Sequence, residues 1–112
     1  MARELIILPR FKRDYRIARK HAEFDRETFD YIFEVLISGK KPPEQFQEHR
    51  LGRRALNLAG FTECHLGADL LLIYRVRRNV VVLHRIGTHQ QLFETNTPRA
   101  GRSTRRRGKV PP

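Results

Sequence analysis

A chain of 112 residues and 13.3 kDa has room for one domain. Its 23 Lys and Arg against 12 Asp and Glu leave a formal net charge of +11, and 39% hydrophobic residues suffice for a small core, which excludes disorder throughout. No apolar run nears the ~18–20 residues of a spanning helix, Leu5–Leu8 is too short for a secretory signal, and the single Cys64 excludes a disulfide framework and fits a reducing cytosol.

Glu4–Leu8 reads as a short apolar strand closed by Pro9. Phe11 to His21 has helical periodicity, with Phe11, Tyr15 and Ala18 on one side and Lys12, Arg13, Arg16, Arg19 and Lys20 around the rest. Phe24 to Ser38 predicts a second helix, capped by Asp25 and stopped at Gly39, with an apolar stripe of Phe29, Ile32, Phe33, Leu36 and Ile37. Lys40 to Gly60 is irregular, holding Pro42-Pro43 and the basic residues Arg50, Arg53 and Arg54.

Beyond Gly60 the period changes to two. Phe61–Leu66, Leu70–Arg77 and Val80–Ile86 read as strands joined by turns too short for anything but antiparallel neighbours. If Leu66 pairs with Leu70, then Cys64, Leu66, Leu70, Leu72, Tyr74 and Val76 share a core face. Glu63, His65, Ile73 and Arg75 then share a second face, partly polar and free for chemistry. The resulting order is β-α-α-β-β-β, an α+β fold with a helical hairpin on one face of an antiparallel sheet; the first strand joins that sheet beside the last or the second-to-last strand. Residues 1–93 form this domain, and 94–112 read as a basic, disordered tail. Six of the basic residues lie between Arg99 and Lys109, so 1–98 keep a net +5. A chain so charged suits nucleic acid, a ribosome, an anionic membrane or an acidic protein.

Five histidines stand out: His21, His49, His65, His84 and His89. His21 ends a basic helix and suits a dipole role, and His84 lies within a strand. His49, His65 and His89 sit at element ends, with Asp69 in the turn after His65. Cleavage of RNA through its 2′-hydroxyl needs one proton removed, one delivered, and positive charge near the phosphorus. Histidines titrate near neutrality and supply both transfers without a metal. Arg75 and Arg85 are candidate phosphate contacts. A rival reading takes His49, His65, His89 and Asp69 as zinc ligands, though no local metal-binding spacing accompanies them.

The segment Glu63-Cys64-His65-Leu66-Gly67-Ala68-Asp69-Leu70-Leu71-Leu72-Ile73-Tyr74-Arg75, followed by Arg85-Ile86-Gly87-Thr88-His89-Gln90-Gln91-Leu92-Phe93, resembles the RelE superfamily of bacterial toxins, and within it the YafQ branch. Phe11–Tyr15 and the Gly39, Pro42-Pro43, His49 stretch fit the same branch, so the resemblance spans about residues 2–93. It implies the toxin of a type II toxin–antitoxin pair: a cytoplasmic, metal-independent endoribonuclease with no cofactor that cuts mRNA in the ribosomal A site. Carried over, His49, His65, Asp69, His89 and Phe93 match functional positions: His65 or His49 as general base, His89 as general acid, Asp69 as an orienting group, and Phe93 against an RNA base. Arg85 matches a basic strand position. The implied partners are the ribosome, mRNA and an acidic antitoxin in a heteromeric complex, with no membrane. The alternative is a basic ribosome-binding module that inhibits translation without cleaving. Arg50–Gly60 is a few residues longer than usual for the branch, and the tail after Phe93 is extra.

Overall fold

The computed structural model describes residues 2–52 and 58–94. The expected basic tail, from residue 95 on, and Arg53 and Arg54 lie outside the described residues. Strand β1 (Glu4–Ile7) leads into helix α1 (Pro9–Ala18), with Pro9 in the first turn, where its missing N–H costs nothing. Helix α2 (Arg26–Ile37) starts at Asp25, whose carboxylate accepts from the Thr28 N–H at 3.1 Å. It ends in a Schellman turn. Gly39 has φ 84°, its N–H donates to Leu36 O, and the Lys40 N–H donates to Val35 O.

A single 3₁₀ turn (Glu44–Phe46) and a two-residue strand β2 (His49–Arg50) follow, inside the stretch expected to be irregular. Then come β3 (Thr62–His65), β4 (Leu71–Arg77), β5 (Val80–Gly87) and a short π-helical turn (Gln90–Glu94). The sheet order is β1-β5-β4-β3-β2. The α+β architecture is as expected, and β1 takes one of the two places expected for it. The strand β1 lies beside β5 and runs parallel to it, with Leu5 opposite Val81, so the sheet is mixed. The connection from β1 passes through both helices, and such a crossover is what a parallel pair requires.

The register between β3 and β4 is as expected, Cys64 opposite Leu72 and Thr62 opposite Tyr74. Cys64, Leu70, Leu72 and Tyr74 accordingly share the main core with Phe11, Ala18, Ile32 and Leu36 from the helices. Burial pushes the Cys64 thiol up to about 12, which removes it as a nucleophile. The second face departs from expectation. Ile73 and Leu71 are fully buried there beneath Leu58 and Leu92, with Leu51, Phe61 and Phe93 packed alongside. This smaller core covers the middle of the face and leaves the β3 end, with His65, to chemistry.

Strand β5 carries the feature that periodicity could not reveal. Ile73 pairs with Arg85 but Tyr74 pairs with Leu83, so His84 is the extra residue of a β-bulge. The core positions step from Val81 and Leu83 to Ile86, three residues on instead of two. His84 stacks on Phe61, ring centres 4.3 Å apart, and burial together with the charges of Arg10 and Arg85 lowers its pKa.

Candidate active site

Three histidines converge where β2 and β3 end and β5 passes into the π-helical turn. The ring centres of His49 and His65 are 6.3 Å apart, those of His65 and His89 6.1 Å, and those of His89 and Phe93 6.3 Å. Pairing explains the first contact: His49 lies opposite Glu63 in the β2–β3 ladder, and His65 is two residues along β3 on the same face.

Each imidazole is held by a carboxylate. One oxygen of Glu63 lies 3.3 Å from Nε2 of His49 and 3.3 Å from Nε2 of His65. Glu63 is 4% exposed, so its charge is almost fully withdrawn from water and faces these two rings. His49 Nδ1 lies 3.0 Å from the Gln47 carbonyl. An oxygen of that kind only accepts, so Nδ1 carries a hydrogen, and Nε2 is the nitrogen turned to Glu63. The residue Gln47 sits at φ 51°, in the left-handed region, which aims its carbonyl there.

His89 is fixed from the other side. Asp69 accepts from the His89 backbone N–H at 3.0 Å and from its ring Nδ1–H at 2.6 Å. These two bonds, the backbone one first, hold the Asp69 carboxyl below its ordinary range. The tautomer of His89 follows: Nδ1 donates to Asp69, and Nε2 lies on the far side of the ring from that bond. The turn carrying Asp69 is tied down in turn, because the Asp69 N–H donates to Glu23 at 2.8 Å. Gly67 permits that approach. A β-carbon there would lie 2.8 Å from the Glu23 carboxylate and 3.0 Å from its own β-carbon.

The expected quartet of His49, His65, Asp69 and His89 is thus brought together, with Phe93 beside it and half-buried against the smaller core. Two expected phosphate contacts lie apart. Arg85 is buried and donates through Nε to Asp14 of α1 at 2.5 Å and through a second nitrogen at 3.2 Å. Arg75 lies with its guanidinium 5.0 Å over the Phe61 ring. His21 has a local role: its Nδ1 accepts the Glu23 N–H at 3.0 Å, which shapes the α1–α2 connection. Two positioning carboxylates were missed as site residues, Glu63 and Glu23. The signal for Glu63 was present, since alternation sets it on the face of His65.

The same groups form a ligand set. Nitrogens of His49 and His65 and an oxygen of Glu63 lie within 4.8 Å of one another, and two imidazoles with a carboxylate suit a divalent zinc or copper ion. This set differs from the rival zinc set raised from sequence, in which Asp69 and His89 were ligands and Glu63 was not.

The fold has known counterparts. The profile of the bacterial toxin of type II toxin–antitoxin systems, YafQ, matches residues 3–94. The chain belongs to that family. The mRNA interferase toxin YafQ of Escherichia coli (strain B / BL21-DE3) is 29% identical over 84 residues, covering 74% of this chain and 87% of that one. The toxin in the E. coli DinJ–YafQ complex superposes with a TM-score of 0.69 at 27% identity, over 81% of this chain and 98% of that one. A copper-bound mutant toxin from Helicobacter pylori gives a TM-score of 0.71 at 27% identity, over 81% and 99% of the two chains. The match to YafQ toxins therefore spans both helices, the sheet and all three clustered histidines.

Proposed function

We propose that this YafQ-family toxin is a ribosome-dependent endoribonuclease that cuts mRNA in the ribosomal A site by histidine acid–base catalysis. The observation that carries this reading is the pair His65 and His89, ring centres 6.1 Å apart, each braced by its own carboxylate. A phosphodiester seated between them meets a base on one side and an acid on the other. His65, assisted by His49 across Glu63, takes the 2′-hydroxyl proton. The oxygen attacks phosphorus, and His89 Nε2–H protonates the departing 5′-oxygen. Asp69 takes the Nδ1–H of His89 and balances the imidazolium, the form in which Nε2 also donates. Phe93 stacks against a base beside the cut.

Mapping 5′ ends of ribosome-bound mRNA after brief induction tests this. New ends with the wild type and none with His89→Ala are expected. Translation arrest without new ends would replace the reading by a non-cleaving ribosome-binding module. The E. coli relative is bound by its antitoxin DinJ in the solved complex. By the same logic a chain at +11 takes an acidic antitoxin in a heteromeric complex.

The ligand set at His49, Glu63 and His65 bears on the same chemistry. A metal ion held there ties both Nε2 atoms and Glu63 together and takes the two rings out of proton transfer. Cleavage is therefore expected to survive chelation by EDTA and to fall when zinc or copper is added. Loss of cleavage on chelation, restored by zinc, would instead make the metal part of the reaction.

A further inference from the structure

On the opposite face of β2 and β3 from the histidines lies a cavity of about 330 Å³ at the C-terminal end of α2. It is lined by Arg3, Lys40, Lys41, Arg50, Arg75 and Arg77, against a single carboxylate, Glu48. We propose that this cavity binds phosphate groups of an RNA strand, at a subsite separate from the cleavage site. The inference rests on the endoribonuclease reading only for the choice of RNA as the polyanion.

Three observations support it. The lone carboxylate is already engaged, because Glu48 accepts the Tyr74 hydroxyl. Among the described residues none of the six cations has an acidic partner within 4.0 Å; Arg3 donates to the Leu36 carbonyl at 3.1 Å, and Arg75 borders the cavity while its guanidinium lies over Phe61 on the other face, so the charge turned to the cavity comes from the others. A concave surface with this excess of one sign concentrates its field and draws in a polyanion, whereas cations spread over a convex helix face are screened by solvent. The third is connection. Arg50 follows His49 and Thr62 precedes Glu63, so alternation puts each pair on opposite faces of the two outermost strands. The strand β2 is two residues long and forms the sheet edge, so a strand of RNA has only that edge to cross between cavity and histidines. Thr62 adds a hydroxyl to the lining.

The test measures binding without cleavage, by fluorescence anisotropy of a labelled 2′-O-methyl 12-nucleotide RNA. The variant Lys40→Gln/Lys41→Gln/Arg77→Gln is compared with Lys12→Gln/Arg13→Gln/Lys20→Gln, which removes the same charge from α1. The cavity variant is expected to bind about tenfold more weakly and to lower the log–log salt slope by about 2, since each lost phosphate contact on single strands removes roughly 0.7. The α1 variant should change affinity less than about threefold. Thermal unfolding of both checks the fold, and the double variant Lys40→Gln/Lys41→Gln, at two exposed positions, stands in if the triple unfolds. Co-sedimentation with bacterial ribosomes separates the sources. A loss confined to ribosomes upholds the cavity with ribosomal RNA as its ligand, and a loss on the oligonucleotide points to the substrate strand. Equal weakening by both variants on both probes, or no weakening by the cavity variant on either, overturns the proposal. A protein that binds through the cavity and never cuts RNA upholds it while overturning the endoribonuclease reading.

Discussion

Two carboxylate–cation pairs anchor the end of β5, and they differ in one respect that separates their work. Asp14–Arg85 is closed off, with side chains 14% and 9% exposed, while Asp69–His89 is open, at 52% and 49%. The buried pair completes the sheet edge. The strand β1 ends at Ile7, opposite Leu83, so the Ile86 N–H has no strand partner and donates to Asp14 at 3.3 Å instead. The open pair lies four residues further on, where an imidazole can exchange protons with a substrate. Similar chemistry thus serves folding where water is excluded and, in the proposed mechanism, catalysis where it is admitted.

The largest effect should come from the open pair. The substitution His89→Ala is expected to lower cleavage by about 10²–10⁴-fold, the usual contribution of a general acid, with the urea midpoint unchanged. The backbone bond from residue 89 to Asp69 remains, so the turn keeps its anchor. Cleavage rates and urea denaturation of the same preparation check both halves.

The buried pair should show the reverse. Arg85→Ala strands the Asp14 carboxylate and is expected to cost on the order of 3 kcal/mol of stability, with activity per folded molecule retained. Asp14→Leu combined with Arg85→Met removes both charges and should recover part of that loss, though not the bond to the Ile86 N–H. A stable but inactive Arg85→Ala would break the contrast and return Arg85 to the RNA, as its strand position first suggested.

That misplacement of Arg85 shows what is legible in a sequence. Alternation placed Cys64, Leu72 and Tyr74 in the core, because a period-two pattern is a local consequence of strand geometry. Asp25 and Gly39 marked the ends of α2 for equally local reasons. Asp14 is 71 residues from Arg85, and no local pattern announces such a partner. The strand β2 was invisible because two residues have no period; it exists through pairing with β3. The His49–His65 contact depends on that pairing, so composition and spacing suggested a set of histidines without showing which of them meet. Glu63 was visible on the right face but reads as an ordinary exposed strand residue until His49 is placed across from it.

The smallest effect concerns the bulge just before the buried pair on β5. His84 is stacked on Phe61 with its pKa lowered, chiefly by burial. A histidine whose folded-state pKa is depressed binds a proton more readily in the unfolded chain. Its neutral form therefore stabilises the fold above the unfolded value of about 6.5, and that contribution is lost as pH falls through the lower folded value. Substitution His84→Phe keeps the stack and removes the titration. The urea midpoint of this variant should fall less steeply than that of the wild type as pH drops from about 7 to 5. Identical slopes for His84→Phe and wild type would assign the acid sensitivity to another group and leave the bulge with a purely geometric role, the shift of register that brings Ile86 into the core.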